Sequence, residues 1–134
     1  MKGFVVASHG QLAQGMKNTL SMFFGNVEAM EFLSLSSDES LEGFLKRLKE
    51  TADRLNDGDG VIIFTDMFGG TPNNCACRLL DKYDVIAGFN LPMLMTFLMH
   101  RTDDDFNVKE ILDEVKSSLI YVNDVKSDVD DDDF

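Results

Sequence analysis

The run Val61-Ile62-Ile63-Phe64-Thr65 is unbroken by any charged residue and rich in β-branched side chains. Before it stands Asn56-Asp57-Gly58-Asp59-Gly60, with two Asp-Gly pairs in succession, and soon after it comes the turn Gly69-Gly70-Thr71-Pro72. A short apolar run between strong stop signals reads as a strand buried on both faces. A sheet covered on both faces is a parallel one whose crossover helices supply the cover. Phe4-Val5-Val6-Ala7 is a second run of the same kind, ending in Ser8-His9-Gly10.

Helix-like segments alternate with these strands. After His9, Leu12, Met16, Leu20 and Phe23 share one helical face, and Gly25 can end it. Val27 to Leu35 reads as a second strand. Ser36 and Glu39 have capping-box spacing, followed by an amphipathic stripe of Leu41, Phe44, Leu45, Leu48, Ala52 and Leu55. After the third strand, Thr71-Pro72 reads as an N-cap followed by proline at the first helical position. Cys75, Ala76, Leu79 and Leu80 form that helix's expected inner face. Val85 to Gly88 reads as a fourth strand, and Asn90 to His100 as a helix. Asn107 and Glu110 open another, carrying Val108, Ile111, Leu112, Val115 and Leu119. Ile120-Tyr121-Val122 reads as a last strand.

This pattern predicts an α/β fold, an open and mostly parallel sheet of order 2-1-3-4 with helices on both faces. Its 134 residues suit one domain. That domain is expected over 1–123, with 124–134 as an acidic, solvated tail. The tail holds six aspartates and one lysine, a net −5 of the chain's −12. Nucleic acid is excluded as a partner for such a surface, whereas a basic protein partner would be drawn to it. The opening apolar stretch is too short for a signal-peptide core, and no run reaches membrane-spanning length, so a soluble, cytoplasmic protein is expected. The two cysteines, Cys75 and Cys77, are expected to pack a helix, because two thiols without a second cysteine pair make no zinc site.

In a 2-1-3-4 sheet the first and third strands are neighbours, and ligands bind beyond their carboxyl ends. Those ends carry His9 and Asp66. A neutral imidazole is a good nucleophile near neutral pH. A carboxylate on one ring nitrogen fixes the tautomer and frees the lone pair on the other. Backbone amides from Phe68, Gly69, Gly70 and Thr71, with the dipole of the following helix, suit a phosphoryl group. The Thr71 hydroxyl is a further donor, and Ser37 is expected on the opposite rim. His100, at a helix C-terminus beside Arg101, is read as structural.

Ser8-His9-Gly10, Phe64-Thr65-Asp66-Met67-Phe68-Gly69-Gly70-Thr71-Pro72-Asn73 and Val85-Ile86-Ala87-Gly88-Phe89-Asn90-Leu91-Pro92-Met93 together resemble the IIA domain of the mannose-family sugar phosphotransferase system. The resemblance covers about residues 1–120. It implies a cytoplasmic phosphocarrier, associated with the membrane only through its transporter, that accepts a phosphoryl group from the carrier protein HPr. The carrier passes that group to a IIB subunit for sugar entering through a IIC/IID channel. The family's phosphorylated histidine falls on His9, at Nε2, and its orienting aspartate on Asp66. Its Gly-Gly-Ser/Thr-Pro turn falls on Gly69 to Pro72. The resemblance also implies a homodimer in which a C-terminal strand, here Ile120-Tyr121-Val122, joins the partner's sheet, and no metal or organic cofactor.

Met67 stands where relatives usually have leucine, a conservative change. A free-standing IIA with separately encoded IIB is expected, since the sequence ends at Phe134. Other readings are a regulatory phospho-acceptor module and the phosphocarrier subunit of a dihydroxyacetone kinase, whose turn after the third strand is less similar. A nucleotide- or flavin-binding domain is disfavoured, because Ser8-His9-Gly10-Gln11 is no phosphate-binding glycine fingerprint.

Overall fold

The computed structural model describes residues 1–125. Its elements are β1 (Gly3–His9), α1 (Leu12–Phe24), β2 (Met30–Leu35), α2 (Leu41–Leu55), β3 (Val61–Thr65), α3 (Gly70–Cys77), β4 (Asp84–Ala87), α4 (Leu91–Met99), α5 (Val108–Lys116) and α6 (Val122–Val125). The sheet is parallel throughout, in the order β2-β1-β3-β4. β1 and β3 are therefore neighbours, with Ala7 opposite Thr65.

Both faces of the sheet are covered, which is why β1 and β3 show no polar alternation. On one face Phe4, Val6, Ile62 and Phe64 pack with Ala13 and Leu20 of α1, Leu94 and Phe97 of α4, and Ile111 and Val115 of α5. The Phe4 and Phe64 rings meet edge-on at 5.4 Å, and Phe64 meets Phe97 at 5.2 Å. On the other face Val5, Ala7, Val61 and Ile63 pack with Phe44, Leu48 and Ala52 of α2 and Cys75 and Ala76 of α3. Each fully buried phenylalanine here contributes roughly 1.5–3 kcal/mol of transfer free energy.

Several local boundaries differ from the sequence expectation. β2 starts at Met30 rather than Val27, because Ala29 adopts φ +52° and turns the chain just before it. α2 is capped not by Ser36 but by Ser40, whose hydroxyl accepts the Gly43 amide at 3.0 Å. Glu39 is instead engaged by Arg47 at 3.0 Å. In α1, Leu12 and Phe23 are exposed, and Ala13 joins Leu20 as the buried pair. Leu80 lies beyond the end of α3 and is exposed.

Ile120-Tyr121-Val122 forms no strand. Leu119, Ile120 and Tyr121 are exposed and irregular, and the Asp124 amide donates to the Tyr121 carbonyl as α6 begins at Val122. A strand needs a ladder partner, and this segment lies against neither of the sheet's open edges, β2 and β4, among the described residues. The expected acidic tail lies outside the described residues from 126 onward.

At the amino end of the sheet Arg101 is buried. Its guanidinium donates to the carbonyls of Lys2 at 2.7 Å, Glu28 at 2.6 Å and Ala29 at 2.5 Å, and lies 4.6 Å over the Phe4 ring. Among the described residues no helix is long and apolar enough to cross a membrane.

Candidate functional site

His9 is the last residue of β1, and Asp66 follows the last residue of β3. Strand adjacency brings them together across 57 positions of sequence. Asp66 Oδ2 accepts two hydrogen bonds from His9: the backbone amide at 3.0 Å and ring Nδ1 at 2.9 Å. An ionised carboxylate only accepts, so Nδ1 carries the proton and the Nε2 lone pair is free. The Asp66 side chain is 9% exposed and that of His9 45%. The orienting group is thus sheltered while the ring reaches solvent. Asp66 Oδ1 is buried and accepts no hydrogen bond among the described residues.

The free edge of the ring faces the start of α3. A Cβ placed on Gly70 would lie 2.8 Å from His9 Cε1 and 3.1 Å from Nε2, so no side chain fits there. Gly69 and Gly70 have φ of +84° and +76°, a conformation L side chains rarely adopt. These two glycines start the helix earlier than expected. Gly69 occupies the N-cap position, with no side-chain cap bond, and Thr71 lies half-buried within the first turn rather than capping it. Pro72 sits where a helix leaves its amide without an acceptor, so its missing N–H costs nothing. The amides of Gly70 and Thr71 have no intrahelical acceptor for the same reason.

Phe68 projects outward, 84% exposed, and Met67 beside it is about half exposed. Ser37 is exposed and lines an open cleft together with His9, Gly10, Gln11, Ser34, Leu35 and Ser36. The residues singled out from the sequence therefore lie around one edge of the sheet.

Sequence reasoning missed three supporting residues. The Ser8 hydroxyl, fully buried, accepts the Ala13 amide at 2.7 Å and so fixes the start of α1 beside His9. Thr65, also fully buried, donates its hydroxyl to Asn73 Oδ1 of α3 at 3.0 Å. The readable signal is a small hydroxyl residue closing an otherwise apolar strand, next to the chemistry-bearing residue.

His100 lies away from this edge. Its Nδ1 bonds Asp103 at 2.7 Å and its Nε2 bonds Glu114 at 2.9 Å, tying α4 to α5. The hydrogen bond to Asp103, then that to Glu114, raises its pKa above the ordinary histidine value. Both ring nitrogens are occupied, in contrast to His9. The cysteines divide: Cys75 is buried, and burial pushes its thiol up, whereas Cys77 is exposed and takes a contact from Asn73 Nδ2 at 3.6 Å. Among the described residues no group of three or more His, Cys, Asp or Glu side chains is arranged to hold a metal.

The family described as "PTS system fructose IIA component" matches residues 3–116. This chain belongs to that mannose-type EIIA family. Its sequence is 33% identical over 103 residues to the mannose-specific EIIAB component of Escherichia coli K12, covering 75% of this chain and 32% of that protein. The chain thus spans about one third of the length of that relative. It is 24% identical over 120 residues to the fructose-specific EIIA component of Bacillus subtilis, covering 87% of this chain and 81% of the other. A crystal structure of a PTS IIA protein associated with the fucose utilization operon of Streptococcus pneumoniae superimposes with a TM-score of 0.84 at 36% identity. That match covers 92% of this chain and 94% of the other. The EIIA fold is therefore shared, and the chain is a member of the EIIA family of the mannose, fructose and sorbose type.

Proposed function

We propose that this EIIA chain is a phosphocarrier that takes a phosphoryl group from phospho-HPr onto His9 Nε2 and hands it to a IIB subunit. One observation carries the reading: Asp66 holds Nδ1 and its proton, while Nε2 is turned toward a helix start whose amides are free. The Nε2 lone pair attacks phosphorus in line with the donor's P–N bond. That bond breaks, and its electron pair returns to the donor imidazole. His9 keeps its Nδ1 proton, so its ring becomes cationic and Asp66 stabilises it. The amides of Phe68, Gly69, Gly70 and Thr71 and the α3 dipole receive the phosphoryl oxygens, with Ser37 on the facing rim. Transfer to IIB reverses the sequence of bond changes.

Exposed Phe68 and Met67 beside His9 supply apolar contact for partners that must exclude water from the transferring group. The net charge of −12 speeds the approach of a basic one. In this proposal the carrier works in the cytoplasm as the unit 1–123, serves a IIC/IID channel through IIB, and carries a mannose-family sugar's phosphate. The exposed apolar run Leu119, Ile120, Tyr121, Val122 and Val125 supports a homodimer as its working form.

The test is phosphorylation of the purified chain by phosphoenolpyruvate, enzyme I and HPr, read by intact mass and site mapping. One acid-labile phosphate on His9 is expected, passed on when IIB is added. His9→Ala is expected to take none while keeping its fold. A phosphate mapped to any other residue, or full phosphorylation of His9→Ala, would overturn the reading.

A further inference from the structure

α3 is held on its face of the sheet by Cys75, Ala76 and the nearby Leu79. Such apolar contacts are non-directional. They keep the helix against the sheet but do not set how far its first turn stands from the strand ends. Cys75 Sγ also donates to the Leu41 carbonyl at 3.5 Å, which ties α3 to α2 rather than to a strand end. Among the described residues one directional side-chain contact joins the first turn of α3 to a strand end. Thr65 closes β3, immediately before Asp66, and its hydroxyl donates to Asn73 Oδ1 in the first turn of α3. Both residues are buried, Thr65 completely. The same Thr65 accepts the amides of Gly88 and Phe89 on its carbonyl, at 2.8 and 3.1 Å, which anchors it to the loop after β4. Asn73 is braced in turn by its contact with Cys77.

We propose that the buried Thr65–Asn73 hydrogen bond is a positioning device that sets the distance between His9 Nε2 and the free amides at the start of α3. This inference rests on the phosphocarrier reading and adds residues that touch neither the phosphoryl group nor His9. Thr65 ties Asp66, and through it the ring, to the helix that receives the phosphoryl oxygens. A misplacement of about 1 Å in such an arrangement costs on the order of 100-fold in rate.

The experiment compares wild type with Thr65→Val, Thr65→Ser and the double variant Thr65→Val/Asn73→Leu. The single valine leaves a buried acceptor unpaired and can lower stability. The double variant removes both polar partners, a change that is nearly neutral for folding. Phospho-HPr and, independently of any protein partner, phosphoramidate serve as donors. The expected result is a cooperatively melting double variant with unchanged KM for phospho-HPr, a transfer rate lower by about tenfold or more, and a shorter phosphohistidine lifetime. Thr65→Ser, which keeps the hydroxyl, should behave as wild type. The 15N shifts of the Gly70 and Thr71 amides should move in the double variant and not in Thr65→Ser.

A folded double variant with wild-type rate, lifetime and amide shifts would overturn the positioning role. A wild-type chain that takes no phosphoryl group from either donor would overturn the carrier reading instead. The amide shifts then still decide whether the pair positions the turn.

Discussion

The two ends of the sheet are built on opposite terms. At the amino end, Arg101 is buried and spends its donors on three backbone carbonyls that lead into β1 and β2. The chain's amino group pairs there with Asp57 and Asp59 ahead of β3. At the carboxyl end, the ring of His9 is nearly half exposed, Asp66 keeps a buried oxygen without a partner among the described residues, and two glycines hold left-handed conformations. Polar groups left unsatisfied cost free energy, so this end is less stable than it could be. The contrast teaches that one end fastens the sheet while the other leaves bonding capacity unused, which is what the proposed phosphocarrier site calls for.

The largest effect that would sharpen this contrast is expected from Gly70→Ala. The new methyl would press on the His9 ring in a backbone conformation that alanine resists. Phosphoryl transfer should fall by about 100-fold, with only modest loss of thermal stability. A variant with a near-normal rate would show that the ring can work from another position. At the other end, Arg101→Met should do the reverse. It strands the Lys2 and Glu28 carbonyls, leaves the Ala29 carbonyl with the Phe4 amide alone and removes a cation–π contact, and should cost about 2 kcal/mol or more in denaturant unfolding. The fraction that remains folded should transfer at the wild-type rate. A selective loss of transfer there would break the division between the two ends.

Much of this layout was legible in the chain. The uninterrupted runs at Val61–Thr65 and Phe4–Ala7 implied parallel strands, and the parallel order put His9 and Asp66 on one edge. Local chemistry was harder to read. The capping-box spacing of Ser36 and Glu39 pointed to the wrong serine, and only the path of the chain after β2 makes Ser40 the cap of α2. Thr71-Pro72 looks like a helix start by composition, yet the left-handed pair Gly69-Gly70 starts α3 earlier. Arg101 carries no sequence signal, because its partners are carbonyls far along the chain. Ile120-Tyr121-Val122 has strand composition, but pairing depends on an available edge rather than on propensity.

The smallest effect concerns His100. Its pKa is raised in the folded protein, so the bond it makes to Asp103 and Glu114 stabilises below the ordinary value of 6.5 and is lost as pH rises through the raised value. His100→Gln should therefore lower the melting temperature most between about pH 5, where the carboxylates remain ionised, and pH 6.5, and leave it unchanged at high pH. Phosphoryl transfer should be unaffected throughout. A variant whose melting temperature shifts equally at all pH values would show that the contact is not a charged one.

The exposed side chains of Phe68 and Met67 also bear on how copies of the chain behave in a crowded solution. An apolar rim that welcomes a partner is equally sticky toward its own kind. The twelve excess negative charges per copy give every proposed homodimer the same sign, so two dimers meeting by these rims, away from the C-terminal apolar run, repel one another, while a cationic protein is drawn in. Selectivity between partner and self is thus colloidal as well as geometric. It should fade when salt shortens the reach of that repulsion to a few ångströms.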